Sequence, residues 1–340
     1  MSLRVLVVED SRTVNAALCG ALTADPAFEV VGRAFDGDRA VALCEELRPD
    51  VISLDMALPG RNGLEVTQAV MARFPTPILI VSASMNRDEQ MSTYDSLGAG
   101  AIDLLPKPDQ DTDFDAWAVR YRKRLALIAR IPVITHVRGR RPAETGAGQS
   151  PMLPARADRP SLIAIGGSTG SPQVLGAILR EVGADLSAPT LILIHTSIGF
   201  DQGLSRWLSR LTSLPVAMAR DSERLGSEPR LIVAPAGRHL VSDGATLWLD
   251  DGPARNHCKP SVDVLFESLR ECASSVVAIL LSGMGRDGAD GMAVLRGAGA
   301  VTIAQDEASS VVWGMPGAAV QRRAACDTLD PATIASYLRR

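Results

Sequence analysis

The chain has 340 residues, of which 46% are hydrophobic and 22% are charged. This length favours two domains over one, because a single hydrophobic core usually stops growing below about 300 residues. The formal net charge of −4 argues against a nucleic-acid partner, since such a partner calls for clustered basic side chains.

Cysteine spacing and the lengths of the apolar runs indicate the compartment. The five cysteines are scattered and form no Cys-x-x-Cys pair, so their spacing predicts neither a disulfide framework nor a zinc site. A reducing compartment is the simplest interpretation. The first apolar run, 3–8, ends at Glu9 and Asp10 and is too short and acidic for a signal peptide. The other apolar runs are shorter than a membrane span. We therefore expect a soluble, cytoplasmic protein without membrane insertion.

The first part of the chain alternates short apolar, β-branched runs with amphipathic stretches. The runs predict strands at 3–8, 29–33, 51–54, 77–81 and 101–105. Helical spacing of apolar residues predicts helices at 13–22, 38–47, 63–73, 88–97 and 114–131. Because the strands are apolar throughout, the pattern predicts a doubly wound α/β domain whose parallel sheet is covered on both faces. We assign it to residues 1–125.

Apolar periodicity is lost from about residue 135 to 160, and we interpret 126–158 as a semi-flexible linker. A second α/β pattern occupies residues 159–340. Its predicted strands are 162–165, 190–194, 231–234, 276–281 and 300–304. Its predicted helices are 172–181, 203–211, 262–272 and 292–297. Two short runs, 239–241 and 246–249, predict a β-hairpin insert. The second domain is therefore also predicted to be a doubly wound parallel sheet.

Polar side chains follow four predicted strands of the first domain, and they are Glu9, Asp10, Asp55, Ser82 and Lys107. We expect them to meet, because ligands of an open parallel sheet bind at the carboxyl ends of its strands. Three carboxylates there require a cation, and hard oxygen ligands suit Mg²⁺. Asp55 can attack a phosphorus electrophile to form an acyl phosphate, which Lys107 and the Ser82 hydroxyl would contact. For any single acid, such as Asp10, helix capping is the alternative.

Four segments of this domain, at 8–11, 54–60, 81–83 and 105–108, resemble the receiver domain of response regulators. The similarity extends from residue 3 to about 125 and implies a flavodoxin-like fold. It implies that Asp55 is the phosphoacceptor and that a cognate histidine kinase is the phosphodonor. It also implies that Glu9, Asp10, Asp55 and the backbone carbonyl of Ala57 hold Mg²⁺. Receivers usually carry an aromatic switch residue three positions before the lysine, where this chain has Leu104.

The segment Gly-Gly-Ser-Thr-Gly at 166–170 lies between a predicted strand and a helix that opens near Pro172. Small neighbours would expose the Ser168 hydroxyl at a tight turn, and the helix N-terminus offers N–H groups to a developing negative charge. The segment fits the G-x-S-x-G nucleophile elbow. A glycine-rich turn between strand and helix is equally typical of a phosphate-binding loop. The segment alone therefore leaves a catalytic and a ligand-binding interpretation open.

A serine nucleophile needs a base, and the base needs an acid that orients it. Of the four histidines, His195 alone directly follows a buried strand, so it should share an edge with Ser168. The glycine-rich loop after strand 276–281 contains two carboxylates. Asp287 is closer to the strand end and is the better acid, whereas Asp290 is better placed to cap the next helix. The order Ser, His, Asp excludes an ordinary α/β-hydrolase.

Together with 166–170, three further segments, at 260–266, 282–288 and 304–316, give the whole chain its resemblance to one family. This is the CheB type of response regulator, the protein-glutamate methylesterase/glutaminase of chemotaxis. The resemblance implies a Rossmann-like serine hydrolase domain with Ser168 as nucleophile, His195 as general base and Asp287 as orienting acid. Thr169 would border the site, and the backbone N–H of Met284 would serve the oxyanion.

The same resemblance implies the substrates, which are γ-glutamyl methyl esters on the cytoplasmic helices of chemoreceptors, with glutamine deamidation as a second activity. Demethylation would provide adaptation in chemosensory signalling, and the hydrolase reaction would need no cofactor. The family usually has Met-Pro after the histidine, where this chain has Thr196 and Ser197. This difference bears on the choice of receptor.

The tandem arrangement leads to a hypothesis of regulation, in which the unphosphorylated receiver covers the Ser168 edge and phosphorylation of Asp55 weakens that contact. The alternative function is a response regulator whose second domain only binds a ligand or protein partner at the glycine-rich loop. A DNA-binding regulator would need a helix-turn-helix and a basic face, which the α/β pattern does not provide. A methylesterase serving another chemosensory array also remains open.

Overall fold

The structure is a computed structural model that describes residues 2–83, 87–109, 111–131 and 160–339. These residues form two compact units, residues 2–131 and 160–339. Most of the predicted linker, from residue 132 to 158, lies outside the described residues. Among the helices of the described ranges, none is both long enough and apolar enough to cross a membrane.

The first unit is built on a five-stranded sheet with the order β2-β1-β3-β4-β5, in which all neighbouring strands are parallel. This is the predicted doubly wound, flavodoxin-like topology, and it is confirmed. The strands are β1 Leu3–Val8, β2 Phe28–Ala34, β3 Val51–Leu54, β4 Ile78–Ser82 and β5 Asp103–Pro106. The helices are α1 Arg12–Thr23, α2 Gly37–Leu47, α3 Gly63–Arg73, α4 Arg87–Ala99 and α5 Phe114–Ile128.

Local sequence signals explain where these helices begin. The Asn62 side chain accepts a hydrogen bond from the Glu65 N–H (3.0 Å), and the Glu65 carboxylate accepts one from the Asn62 N–H (2.9 Å). This reciprocal capping box satisfies two backbone donors at the start of α3. Ser11 and Asp113 cap α1 and α5 through their side chains. Polar residues therefore stand where the apolar periodicity begins.

The register of the central strands determines which side chains meet. Val8 of β1 pairs with Leu54 of β3, so the residues that follow, Glu9 and Asp55, leave the sheet at the same edge. The Asp55 N–H donates to the Val8 carbonyl (3.0 Å), which extends this pairing by one residue. All residues of β3 and β4 are buried. The helices thus cover both faces and leave the carboxyl edge for chemistry.

The second unit contains a seven-stranded parallel sheet with the order β15-β14-β13-β6-β7-β10-β8. Its strands are β6 Leu162–Gly167, β7 Thr190–Ile194, β8 Val216–Met218, β10 Leu231–Val233, β13 Val276–Leu280, β14 Val301–Gln305 and β15 Asp327–Leu329. The predicted hairpin is present as β11 His239–Ser242 and β12 Thr246–Asp250. A third antiparallel strand, β9 Glu223–Arg224, pairs with β12.

Six helices and one 3-10 helix surround this sheet. They are α6 Ser171–Val182, α7 Asp201–Leu211, α8 Val262–Ser268, the 3-10 helix Arg270–Ser275, α9 Ala289–Gly297, α10 Met315–Gln321 and α11 Pro331–Leu338. Strand β6 lies between β7 and β13, with Gly167 paired to Ile194 and Gly166 to Leu280. The segments after β6, β7 and β13 therefore leave the sheet side by side.

The structure differs from the sequence prediction at several elements, for identifiable reasons. The sequence does not predict strands β8, β9 and β15, because with three, two and three residues they are too short to show a period. The predicted helix 262–272 divides at Leu269 into α8 and the 3-10 helix. The predicted helix 292–297 begins earlier, at Ala289, because Gly288 adopts a left-handed φ of 89° and serves as its N-cap. The predicted helix 114–131 ends at Ile128.

The packing of α6 against α7 gives a testable difference between two helical glycines. A Cβ on Gly176 would lie 2.7 Å from the ring of Trp207, which is 1% exposed, whereas a Cβ on Gly297 would meet nothing within 4 Å. We expect Gly176→Ala to lower the free energy of unfolding by about 1 kcal/mol, because overpacking of about 1–3 kcal/mol exceeds the helical gain. Gly297→Ala should raise it by up to about 0.5 kcal/mol, because Gly297 is the last residue of α9 and the penalty for glycine is largest in the middle of a helix. Urea denaturation of both variants measures these changes, and stabilisation by Gly176→Ala would contradict the packing described.

Candidate active site

The structure brings the predicted carboxylates of the first unit together. One ligand oxygen from each of Glu9, Asp10 and Asp55 lies within 4.8 Å of the others. Glu9 and Asp55 are buried, while Asp10 is exposed. Lys107 Nζ lies 2.7 Å from a Glu9 oxygen and 2.9 Å from an Asp55 oxygen. The four side chains form one cluster, which is called here the acidic cluster.

Charge in the acidic cluster is unbalanced. Burial raises the pKa of Glu9 to about 7, and burial likewise raises the pKa of Asp55, although Lys107 opposes both effects. Lys107 contributes one positive charge opposite three carboxylates, so the arrangement favours further positive charge. Converging carboxylate oxygens are the ligands that Mg²⁺ prefers. The donor set therefore fits a magnesium ion held by Glu9, Asp10 and Asp55.

The remaining predicted residues of this unit lie along the same edge. Ser82 is buried at the end of β4, and its carbonyl accepts a hydrogen bond from the Lys107 N–H (2.9 Å). This bond ties the β4 and β5 ends together. Ala57 lies in the exposed loop two residues after Asp55. Leu104 occupies a half-buried position on β5.

In the second unit, Ser168 directly follows β6 and is half-buried, whereas its neighbours Gly167 and Thr169 are buried. Its N–H donates to the Ser282 carbonyl (2.9 Å), and its carbonyl accepts from the Ser171 N–H (3.0 Å). These bonds hold the turn between β6 and α6 from both sides. They also occupy amide groups that a phosphate-binding loop would direct at its ligand.

Two glycines allow this turn to form. Gly170 has a left-handed φ of 80°, and a Cβ there would lie 2.4 Å from Val311 Cβ. A Cβ on Gly283 would lie 2.9 Å from Ser168 Cβ and 2.3 Å from Met315 Sδ. The loops that contain the segments 166–170 and 282–288 can therefore pack closely around Ser168, because glycine has no side chain at these two positions.

His195 stands directly after β7, on the strand next to Ser168. Its N–H donates to the Gly167 carbonyl (2.9 Å), which continues the ladder between β6 and β7 to this edge. Its Nε2 lies 2.8 Å from Asp287 Oδ2. The ring nitrogen that faces away from Asp287 is thus Nδ1, the reverse of the serine-protease arrangement in which the acid holds Nδ1. Ser168, His195 and Asp287 leave adjacent parallel strands at one edge.

The Asp287 carboxylate is 2% exposed and accepts hydrogen bonds from five donors. Besides His195, they are the Val262 N–H (2.7 Å), the Ser261 hydroxyl (2.6 Å), the Asp263 N–H (3.3 Å) and Asn256 Nδ2 (3.3 Å). Burial alone would raise the pKa of Asp287, but His195, Ser261 and the Val262 N–H together lower it below its usual range. Asp287 is therefore ionised and fixed in orientation.

The same pair controls the charge of the imidazole. Burial would lower the pKa of His195, but its hydrogen bonds with Asp287 and Cys258 raise it to about 9. An imidazole with this pKa is a positively charged imidazolium at neutral pH, and it becomes a neutral proton acceptor as the pH rises.

The other candidates from the sequence have different environments. His239 is 1% exposed, and both ring nitrogens are engaged with backbone, Nε2 with the Pro253 carbonyl (3.0 Å) and Nδ1 with the Ser261 N–H (3.1 Å). His257 is exposed, and His136 lies outside the described residues. Asp290 lies in the first turn of α9 and pairs with Arg322 (2.6 Å).

The loop after β13 is organised by residues whose role the sequence did not reveal. The Ser282 N–H donates to the Gln305 side chain (2.8 Å), and the Gly283 N–H donates to the Val312 carbonyl (3.0 Å). Ser282 Oγ donates to the Thr169 carbonyl (2.8 Å), which links this loop to the Ser168 turn. Met284 follows, with a side chain that is 47% exposed. The segments 282–288 and 304–316 therefore support each other at this edge.

Sequence reasoning missed Asn256, Cys258, Ser261 and Asp263. Asn256 Nδ2 donates to Asp263 (2.7 Å) as well as to Asp287, and Cys258 Sγ lies 3.7 Å from His195 Nδ1. Burial raises the pKa of Asp263 to about 6, and the nearby Asp287 charge adds to this effect. A signal for Ser261 and Asp263 was present in the segment 260–266. This segment begins helix α8, and the backbone N–H groups at a buried helix start are available as donors to carboxylates such as Asp287.

Comparisons with known proteins agree with this geometry. A family model described as CheB methylesterase matches residues 163–338, and one described as response regulator receiver domain matches residues 5–116. The crystal structure of the Thermotoga maritima CheB methylesterase catalytic domain is similar to the second unit. It is 29% identical with a TM-score of 0.51, and the match covers 54% of this chain and 98% of that chain.

Curated relatives match over nearly the full length. A protein-glutamate methylesterase/protein-glutamine glutaminase of Anaeromyxobacter dehalogenans (strain 2CP-C) is 40% identical over 320 residues, which cover 94% of this chain and 91% of that protein. A protein of the same description from Myxococcus xanthus (strain DK1622) is 41% identical over 326 residues, with 95% and 89% covered. The receiver-like first unit, the Ser168 edge of the second and these matches together show that the chain belongs to the CheB methylesterase family of response regulators.

Proposed function

We propose that the second unit is a serine hydrolase that demethylates glutamate methyl esters and deamidates glutamines on chemoreceptors, under the control of phosphorylation at Asp55. The single observation that carries the proposal is the His195–Asp287 pair, which follows β7 and β13 at the edge where Ser168 follows β6 and in which Asp287 is buried. A nucleophile, a base and an orienting acid on adjacent strands form the minimal set for acyl transfer.

The proposed reaction assigns one role to each group of the triad. Ser168 Oγ attacks the ester carbonyl while His195 Nδ1 takes its proton, and Asp287 stabilises the imidazolium through Nε2–H. The imidazolium then gives the proton to the leaving methoxide, and methanol departs from an acyl-enzyme. Water attacks the acyl carbon with His195 again as base, and the free glutamate leaves. With a glutamine side chain, the first leaving group is ammonia.

The tetrahedral intermediates need donors for their oxyanion. As the family resemblance implies, we assign this role to the Met284 N–H, with Thr169 at the border of the site. The Ser282 and Gly283 amides are engaged in the loop itself. One such donor accounts for about 10²–10³ in rate. The reaction uses no cofactor in this proposal.

A catalytic role for the glycine-rich turn is favoured over ligand binding alone. The Ser168 amide is engaged with Ser282, and the Ser171 amide is engaged with the Ser168 carbonyl. A phosphate site would leave such amides directed at its ligand. The paired His195 and Asp287 would also have no role in simple binding.

The first unit provides the control. Asp55 would accept a phosphoryl group from the phosphohistidine of a cognate histidine kinase, and Lys107 and the Ser82 hydroxyl would contact the new phosphate. Bound Mg²⁺, held by Glu9, Asp10, Asp55 and the Ala57 carbonyl, would neutralise the charge of the carboxylates and the phosphoryl oxygens. The substrates would be the cytoplasmic helices of chemoreceptors, so the protein would act in the cytoplasm and serve adaptation.

The nucleophile assignment is tested by Ser168→Ala. We expect it to lower methanol release from methylated receptor membranes by at least about 10³-fold, because no other hydroxyl replaces the acyl acceptor. Ser209→Ala, an exposed serine on α7, serves as the matched control and should retain the wild-type rate. Unchanged methanol release by Ser168→Ala would refute the hydrolase mechanism and favour the ligand-binding alternative.

The His195–Asp287 pair predicts the pH dependence. The base acts only when neutral, and its raised pKa of about 9 keeps it protonated at lower pH. The value of kcat/KM should therefore rise about tenfold per pH unit up to this pKa and then level off. Methanol release is measured from pH 6 upwards, with the Ser168→Ala rate subtracted for spontaneous hydrolysis. A midpoint near the ordinary histidine value of about 6.5 would show that Asp287 does not hold the imidazolium.

Phosphorylation control is tested with acetyl phosphate and Mg²⁺. The wild-type protein should release methanol faster after this treatment, whereas Asp55→Asn should keep its basal rate because it cannot form the acyl phosphate. Asp36→Asn, a helix cap of α2 in the same unit, is the matched control and should respond like the wild type. Equal stimulation of Asp55→Asn would remove Asp55 as the phosphoacceptor.

A further inference from the structure

A thiol lies beside the base, and the hydrolase mechanism does not use it. Cys258 Sγ is 3.7 Å from His195 Nδ1, the ring nitrogen that faces away from Asp287. Cys258 is half-buried and His195 is 16% exposed, so solvent reaches the pair. One ligand atom from each of His195, Cys258 and Asp287 lies within 4.8 Å of the other two.

The backbone places Cys258 in this position. Arg255 and Cys258 exchange backbone hydrogen bonds of 3.1 and 2.8 Å, and the two residues between them, Asn256 and His257, have φ values of 50° and 62°. Two consecutive left-handed residues form a tight turn, and asparagine and histidine are among the non-glycine residues that adopt this conformation most often. Arg255 anchors the turn through two hydrogen bonds to Glu267 of α8, of 2.5 and 2.6 Å.

The Asn256 side chain holds the turn from the other side, through its hydrogen bonds to Asp263 and Asp287. The Cys258 thiol also donates to the Asn256 carbonyl (3.4 Å). The sulfur is therefore held by a constrained turn rather than by a mobile loop.

The distance between the two atoms fits a shared metal ion. Zinc binds cysteine sulfur at about 2.3 Å and histidine nitrogen at about 2.0–2.1 Å in tetrahedral geometry, which separates the two ligand atoms by about 3.5 Å. The observed separation is 3.7 Å. Asp287 already accepts the hydrogen bond of Nε2, which completes the carboxylate–histidine–metal arrangement typical of zinc sites.

We propose that Cys258 Sγ and His195 Nδ1 form an inhibitory binding site for Zn²⁺, with Asp287 as the outer partner of the histidine. On binding, the thiol and the Nδ1–H of the His195 imidazolium each lose a proton to solvent, and His195 gives the Nδ1 lone pair to the metal while it keeps the proton on Nε2. Water fills the remaining positions of the ion. The lone pair that would accept the Ser168 proton is then occupied, so hydrolysis stops reversibly. This consequence rests on the proposed function, whereas the binding itself does not.

The activity test compares three forms of the full chain, activated with acetyl phosphate and excess Mg²⁺, during titration with Zn²⁺. The wild type should lose methanol release by about 10²-fold or more, as expected when the general base is removed, and a zinc-selective chelator should restore it. Cys258→Ser, with Cys258→Ala as a second variant, should resist Zn²⁺, each relative to its own metal-free rate. Cys272→Ser is the matched control, because Cys272 is also half-buried and donates to a carbonyl (3.3 Å), and it should be inhibited like the wild type.

The binding test uses Co²⁺ as a spectroscopic probe and needs no substrate. Thiolate ligation of Co²⁺ gives an absorption band in the near ultraviolet, which we expect in the wild type and in Cys272→Ser and not in Cys258→Ser. Should the wild type hydrolyse no ester, the proposed function fails, and the cobalt band alone still decides whether the metal site exists.

Two results would overturn the inference. One is inhibition of Cys258→Ser at the same Zn²⁺ concentration as the wild type. This result would mean that the inhibitory metal binds at another site, for example at the acidic cluster. The other is a cobalt band that persists unchanged in Cys258→Ser.

Discussion

The chemistry of the second unit depends on one buried carboxylate. Asp287 leaves the sheet in the loop between β13 and α9 and receives donors from His195, from the α8 start and from Asn256. A buried carboxylate without partners would take up a proton, whereas five donors keep Asp287 charged and fixed. Its hydrogen bond and its charge help to raise the pKa of His195 to about 9, and the contact with Nε2 leaves Nδ1 as the ring nitrogen that faces away from Asp287.

The two units use one architectural rule for opposite electrostatic purposes. In each unit, parallel strands end at a common edge of the sheet, where polar side chains from segments distant in sequence lie close together. Burial raises the pKa of Glu9 and Asp55 in the acidic cluster. Because this cluster contains more carboxylates than cations, it favours the binding of a divalent ion. At the Ser168 edge, several hydrogen-bond donors surround the single Asp287 carboxylate and lower its pKa. The acidic cluster therefore favours added positive charge, whereas the donors around Asp287 stabilise a negative charge that is already present.

Much of this arrangement could be predicted because it follows from local signals. Apolar runs predicted the long strands, and the first polar residue after a strand marks the carboxyl edge, as at Glu9, Asp55, Ser168 and His195. What could not be predicted depends on contacts without a period. Strands β8, β9 and β15 exist because neighbours pair with them. The turn that carries Cys258 lies 63 positions from His195, a separation that no zinc-motif spacing covers.

By itself, the sequence determined two α/β units of doubly wound topology, the residue types at their strand ends and the family to which they belong, because periodicity and motif order are local properties of the chain. Only the tertiary structure decided that Asp287 bonds Nε2 rather than Nδ1, that Asn256 bridges Asp263 and Asp287, and that the Cys258 thiol stands beside the Nδ1 of His195. These features arise from the packing of α8 and its preceding turn against the sheet edge. Such packing joins segments far apart in the chain, and side-chain direction there is decided by three-dimensional neighbours.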